Sequence, residues 1–377
     1  MKKIYSFSNF LFGASLCSGL LFSSFGHAHI GEGDHQHEHL AEFLARSSEA
    51  IPAAGGVSEP KEAEATTGEG EWVFQTAHRY TLPDEALDQL NGAHGGFAVD
   101  PKTHDLYFGL KGVGLIRIGT EAGDTEIIDG LPALAEGNLH NTTLFYSGDD
   151  PWLSFPDNEQ NRVHVVNLKS RELQTLSAPM VNEYYRDSGS FNPTDTEFHE
   201  GTLFVADGYS PGNYITSANP FDAEWGDLVF GGKGTGHGEF GTAHGIAFNS
   251  NEDVLDIADR ANSRIESYSL AGEYLKTVSL PAGALPCDID FYGENAVIGC
   301  LQGPGNSTPA PIYILGGDGE IISTLKPAED LGIDRATHIH NASWWIQPGA
   351  DGVDKVFIAV TAWNPGDFFI LEQVVQQ

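Results

Sequence analysis

From about residue 71 onward, apolar and polar positions alternate with a period of two over short runs, and helical periodicity is almost absent. The runs are rich in Val, Ile, Leu and Phe and are separated by Gly, Asp and Asn turns, the pattern of half-buried strands joined by hairpins. Six runs open alike: Ala93-His94-Gly95-Gly96-Phe97, Leu139-His140-Asn141-Thr142, Asn192-Pro193-Thr194-Asp195, Ala243-His244-Gly245-Ile246, Leu285-Pro286-Cys287-Asp288 and Ile339-His340-Asn341-Ala342. Their starts lie roughly 40 to 55 residues apart, the length of one four-stranded propeller blade. The pattern therefore predicts an all-β fold, a six-bladed β-propeller. After the sixth start only the runs at 356–362 and 367–374 follow, which leaves the last blade one strand short. A lone strand at 72–81 precedes the first start, and pairing it with the C-terminal blade would close the ring and remove an open edge. A β-sandwich would also be all-β but would not explain the repeat.

The residues before the repeats read differently. Lys2 and Lys3, an apolar run over 10–25 and the small-residue exit Gly26-His27-Ala28 have the form of a secretory signal, assigned to residues 1–28. Ser, Asn and Gly interrupt the run, which argues against a permanent anchor. Residues 29–70, acidic and poor in large apolar side chains, are expected to form a disordered leader containing His29, His35, His37 and His39. The propeller takes 71–377. The expected location is secreted or periplasmic. The formal charge of −34, from 53 acidic against 19 basic residues, excludes nucleic acid and anionic membranes as partners once the signal is removed. A monomer acting on a small-molecule or peptide-like substrate is expected. Cys17 falls in the signal; for Cys287 and Cys300, a disulfide and two separate buried thiols are both open.

Candidate chemistry sits at the repeat starts. First strands of propeller blades line the central channel, so residues at their mouths converge. Four starts place histidine there, His94, His140, His244 and His340, and the other two place Pro193 and Pro286. Three neutral imidazoles with an open position make a site for zinc or another divalent transition metal. Repeat ancestry could instead have copied a hydrogen-bonding channel histidine without function. Asp207 and Asp259 are expected to fix turns. The stretch Gly231-Gly232-Lys233-Gly234-Thr235 lacks phosphate-loop spacing and a following helix, so a wide turn is expected. Trp344 and Trp345 are expected to cover the channel or a blade interface.

The fourth segment, Gly234-Thr235-Gly236-His237-Gly238-Glu239-Phe240 through Ala258-Asp259-Arg260-Ala261-Asn262-Ser263-Arg264-Ile265, resembles the NHL repeat. Leu203-Phe204-Val205-Ala206-Asp207-Gly208-Tyr209 repeats it in part, and Phe155-Pro156-Asp157-Asn158 is a diverged copy. The stretch from about 131 to 371 further resembles the peptidyl-α-hydroxyglycine α-amidating lyase family, six-bladed propellers that cleave a carbinolamide to a peptide amide and glyoxylate. The resemblance implies zinc ligation by His140, His244 and His340, an active-site tyrosine at Tyr209 and a substrate-holding arginine at Arg260. It also marks departures. Lys111 stands where the family has a second arginine, which replaces a bidentate fork with a point charge. Asn341 replaces the aspartate of a structural calcium site and weakens it. His338 replaces an apolar residue, His94 adds a fourth axial imidazole, and the family's cysteine pairs are missing. The expected function is an exported metal-dependent lyase of this type, acting on the family's substrate or a diverged one; the alternatives are a lactonase-like metal-dependent hydrolase and a non-catalytic NHL binding module.

Overall fold

The structure, a computed structural model, describes residues 64–349 and 351–375. The signal assignment (1–28) and nearly all of the leader (29–70) lie outside the described residues. Within them the chain is an all-β, six-bladed β-propeller built from six antiparallel sheets. Blade one comprises Phe97–Val99, Leu106–Leu110, Gly114–Ile118 and Thr125–Ile127; blade two, Thr143–Ser147, Asp150–Asp157, Arg162–Asn167 and Leu173–Leu176. Blade three comprises Asp195–His199, Thr202–Ala206, Tyr214–Asn219 and Glu224–Gly231; blade four, Ala243–Asn249, Val254–Asp259, Arg264–Tyr268 and Tyr274–Ser279. Blade five comprises Asp290–Tyr292, Asn295–Gly299, Ile312–Leu315 and Ile321–Leu325. Among the described residues no helix is long and apolar enough to cross a membrane.

Blade six closes the ring. Ile339–Gln347, Lys355–Ala362 and Asp367–Gln373 are followed by Trp72–Thr76 from the other end of the chain, with Phe74 opposite Gln373 and Thr76 opposite Leu371. This is the predicted closure, although the strand ends at Thr76 and not at residue 81. A fifth strand, Thr67–Glu69, pairs outside it, in a stretch that composition assigned to the leader. Tertiary hydrogen bonds hold it: Glu69 N donates to Ser323 Oγ at 2.9 Å and Lys326 N to Thr67 Oγ1 at 2.7 Å, both on blade five.

Alternation in the strands becomes burial between blades. Leu106, Phe108, Trp345 and Phe357 fill the seam between blades one and six, Leu153 and Phe155 that between one and two, and Leu255 and Ile257 that between three and four. Each such fully buried side chain contributes about 1.5–3 kcal/mol. Trp344 packs on Tyr292 of blade five at 5.9 Å between ring centroids, and Trp345 belongs to the cluster that joins blades one and six, so both tryptophans belong to blade interfaces. Aspartates at the ends of second strands organise the turns as expected. Asp259 accepts from Gly241 N at 2.7 Å and Arg264 Nε at 2.9 Å, and Asp207 accepts from Asn192 N at 2.6 Å and Tyr185 OH at 2.9 Å. At the end of blade three Gly231 and Gly232 take φ of +81° and +124°, the wide turn anticipated for that stretch.

Candidate metal centre at the channel mouth

The histidines converge because the inner strands bulge where they occur. In blade four the register slips between Ala243, opposite Asp259, and Gly245, opposite Ala258, so His244 is the extra residue. In blade six the slip falls between Ile339, opposite Ala362, and Asn341, opposite Thr361, which singles out His340. In blade two Leu139 pairs with Asp157 and Thr143 with Ser154, so four steps on the inner strand match three on its neighbour around His140. A bulge bends the strand and re-aims a side chain. Here it turns the imidazoles inward at the head of the channel. Gly245 is needed beside His244, because a Cβ there would stand 2.7 Å from the Cys287 carbonyl oxygen.

All four imidazoles meet. Ring centroids are 4.7 Å apart for His140 and His244, 4.8 Å for His140 and His340, 4.9 Å for His244 and His340, and 4.9 Å for His94 and His340. Ligand atoms within 4.8 Å of one another form two overlapping sets, His94 with His140 and His340, and His244 with Cys287 and His340. The trio that the resemblance selects is thus shared between the sets, and the Tyr209 hydroxyl lies between two of its members. It stands 2.9 Å from His244 Nε2 and 3.3 Å from His140 Nε2.

Donor accounting orders this cluster. His244 Nδ1 lies 2.6 Å from the Cys287 carbonyl oxygen, which can only accept, so Nδ1 carries the proton and Nε2 presents a lone pair. Arg260 Nη1 donates to the Tyr209 hydroxyl at 3.1 Å, leaving the tyrosine proton for His244 Nε2. His340 Nε2 is buried with no hydrogen-bond partner, and its Nδ1 lies 3.0 Å from Asn341 Nδ2. A buried imidazole nitrogen without a partner and a second one oriented by a backbone carbonyl suit a transition-metal ion. His94 is more committed to protein, since Asn138 Nδ2 donates to its Nδ1 at 3.1 Å. Burial lowers all four imidazoles, His94 to about 4 and the other three well below their ordinary value, with Arg260 adding to the effect. They are neutral near pH 7, the form that ligates metal. Burial raises the Tyr209 hydroxyl, against the opposing charge of Arg260.

Other expected residues fall elsewhere. Lys111 makes an ion pair with Glu159 of blade two, both about half exposed, and bonds to none of the histidines. His338 Nδ1 donates to Leu301 O at 2.8 Å, a backbone tether on blade six. Asn341 Nδ2 donates to the His94 and Gly95 carbonyls, both at 2.9 Å, so an amide already engages the backbone oxygens beside the position where the family's calcium aspartate would stand. Cys287 and Cys300 are free, buried thiols, which decides between the two alternatives. Sequence reasoning missed Cys287 and Asn138 at this site. Cys287 follows Pro286 at the start of blade five, between the histidine-bearing starts of blades four and six, and that placement was the available signal.

No known protein-family profile matches the chain. A stretch of 146 residues, 36% of the chain, is 29% identical to peptidyl-glycine alpha-amidating monooxygenase B of Xenopus laevis, and the match covers 16% of that protein's length. Among solved structures, a putative gluconolactonase overlays with a TM-score of 0.54 at 13% identity, covering 80% of this chain and 98% of that one. A gluconolactonase from Xanthomonas campestris gives 0.54 at 11%, covering 86% and 98%. A chain of a nidogen/laminin complex gives 0.51 at 14%, covering 74% and 95%. Enzymes and a nidogen/laminin complex share this architecture, so the likeness to solved structures shows the six-bladed propeller fold and leaves the function to the site.

Proposed function

We propose that this protein is an exported, metal-dependent lyase that splits a carbinolamide, a carbon bearing both a hydroxyl and an amide nitrogen, into an amide and a carbonyl acid. The observation that carries this reading is the Tyr209 hydroxyl, held between His140, His244 and Arg260 beside a cluster of neutral imidazoles. The partial sequence likeness to an amidating monooxygenase and the NHL-like segments support the same chemistry. His140, His244 and His340 would hold a divalent transition metal, with zinc the first candidate. Such an ion supplies Lewis acidity toward a substrate oxygen.

The reaction needs one proton moved. The hydroxyl proton leaves as its bonding electrons form the carbonyl, the carbon–nitrogen bond breaks, and nitrogen is protonated to give the amide. Tyr209 is the chain's proton-exchange group at this point: burial keeps it a neutral phenol, which can give its proton to nitrogen and regain one from the substrate hydroxyl. Arg260 fixes the tyrosine oxygen and offers a charge-assisted partner to the substrate carboxylate. Substrates are accordingly small or peptide-like acids.

The test is to load the protein with zinc and supply N-benzoyl-α-hydroxyglycine, measuring benzamide and glyoxylate together. Equal yields of both, above the spontaneous rate, are expected. Opening of lactones without glyoxylate would transfer the site to hydrolysis, and no turnover of either class by the metal-loaded protein would leave a binding propeller.

A further inference from the structure

We infer that Cys287 is a ligand of the metal centre, so that blade five contributes a thiolate where blades two, four and six contribute imidazoles. The inference rests on the proposed metal centre and specifies its ligand set.

Blade five repeats the inner-strand irregularity of its neighbours. Pro286 pairs with Cys300 and Asp290 with Val297, again four steps against three. The start carries proline in place of histidine, and the next side chain is the thiol. Cys287 is fully buried, and one ligand atom from each of Cys287, His244 and His340 lies within 4.8 Å of the other two. The His340 Nε2 atom in this region has no partner, so the set contains a buried donor nitrogen that no protein group uses.

The two cysteines of the described chain differ in their surroundings. Cys300 belongs to the apolar core with Ile298, Ile312 and Ile339, the usual situation of a structural thiol. Cys287 is in none of the apolar clusters of the described residues; its sulfur has long contacts to Arg260 Nη1 at 3.9 Å and Leu285 O at 3.8 Å. Burial raises the Cys287 thiol, and the Arg260 guanidinium beside the sulfur opposes that rise. The Cys287 carbonyl already orients His244 through Nδ1, so one residue positions a ligand with its backbone and ligates with its side chain. On binding, the thiol proton passes to solvent as the metal–sulfur bond forms, and the ion's +2 charge falls to a net +1. A thiolate among imidazoles selects borderline and soft ions, zinc, cobalt(II) or copper(I), over magnesium and calcium.

Cobalt(II) titration of the metal-free full chain tests this by absorption spectroscopy. The wild type is expected to show both visible d–d bands and a near-ultraviolet sulfur-to-cobalt charge-transfer band. Cys287→Ser and Cys287→Ala should keep d–d bands and lose the charge-transfer band, and Cys300→Ala should keep both. Visible bands without charge transfer in the wild type, or charge transfer persisting in Cys287→Ala, would overturn the ligand while leaving the histidine centre intact. A wild type that takes up no cobalt would overturn the centre itself and the ligand with it. Should the Cys287 variants misfold, X-ray absorption on the zinc-loaded wild type decides: a sulfur shell at about 2.3 Å supports the inference, and nitrogen and oxygen neighbours alone refute it.

Discussion

The inner strands of blades one, two, four and six bring histidines to the axis and those of blades three and five bring carboxylates, and burial has opposite effects on the two groups. At the mouth it strips protons: His140, His244 and His340 are held neutral, with lone pairs available to a metal. Asp195, Glu197, Asp288 and Asp290 line a cavity of about 480 Å³, and there desolvation retains protons. Glu197 is pushed up to about 8 and Asp290 to about 6, and Asp195 and Asp288 are raised by burial, with mutual repulsion adding to Asp288. Two of these carboxylates serve the backbone. Asp195 Oδ2 accepts from Ile246 N and Asp290 Oδ2 from Trp344 N, each at 2.8 Å, so each caps an inner-strand amide of the following blade. Desolvation disfavours the charged form at both places; for imidazole that yields a neutral ligand, and for carboxyl it yields a group that holds its proton to higher pH.

The sharpest way to break this contrast is at the mouth. His244→Ala or His340→Ala should reduce bound zinc from about one ion per chain to near none by elemental analysis, with lyase activity down on the order of 10³-fold or more. Tyr209→Phe should keep the metal and lower kcat by about 10²-fold, the size of a lost proton-transfer group. Retained kcat in that variant would remove the tyrosine from the chemistry.

Stability against pH separates the two groups in the metal-free protein. Histidines with lowered folded values stabilise above about pH 6.5, and that contribution is lost as pH falls toward 4, His94's folded value. Carboxyls with raised folded values act in the other direction. The folded state binds the extra protons, so their contribution is fully present below about pH 4 and is lost as pH rises through about 6 for Asp290 and about 8 for Glu197. Thermal melts should therefore peak at mildly acidic pH, and Glu197→Gln should flatten the alkaline limb, gaining on the order of 1 kcal/mol at pH 8. An unchanged alkaline limb would show that Glu197 ionises freely in the folded state. The smallest effect is expected at Lys111. Its half-exposed pair with Glu159 is worth about 0–1 kcal/mol, so Lys111→Ala should shift KM at most about fivefold with kcat intact.

Strand character, the number of blades and the closing strand were legible in the chain because period-two alternation and turn residues are local, and because a repeat places equivalent residues at equivalent positions. The four histidines were legible for the same reason. The bulges at His244 and His340 were not, since a register slip is a property of a strand pair. Nor was the wedge of Tyr209 between His140 and His244, side chains 69 and 35 residues away from it along the chain. Cys287 and Cys300 looked equivalent in sequence, and only the packing of blades five and six separated a core thiol from one facing the imidazoles. Thr67–Glu69 reads as leader by composition yet forms a strand, because its partners lie on blade five and at the seam. The sequence by itself determined which residues repeat and hence the ring they build. Only the tertiary structure decided which side chains share the axis, because contacts between blades depend on register and burial that no single blade encodes.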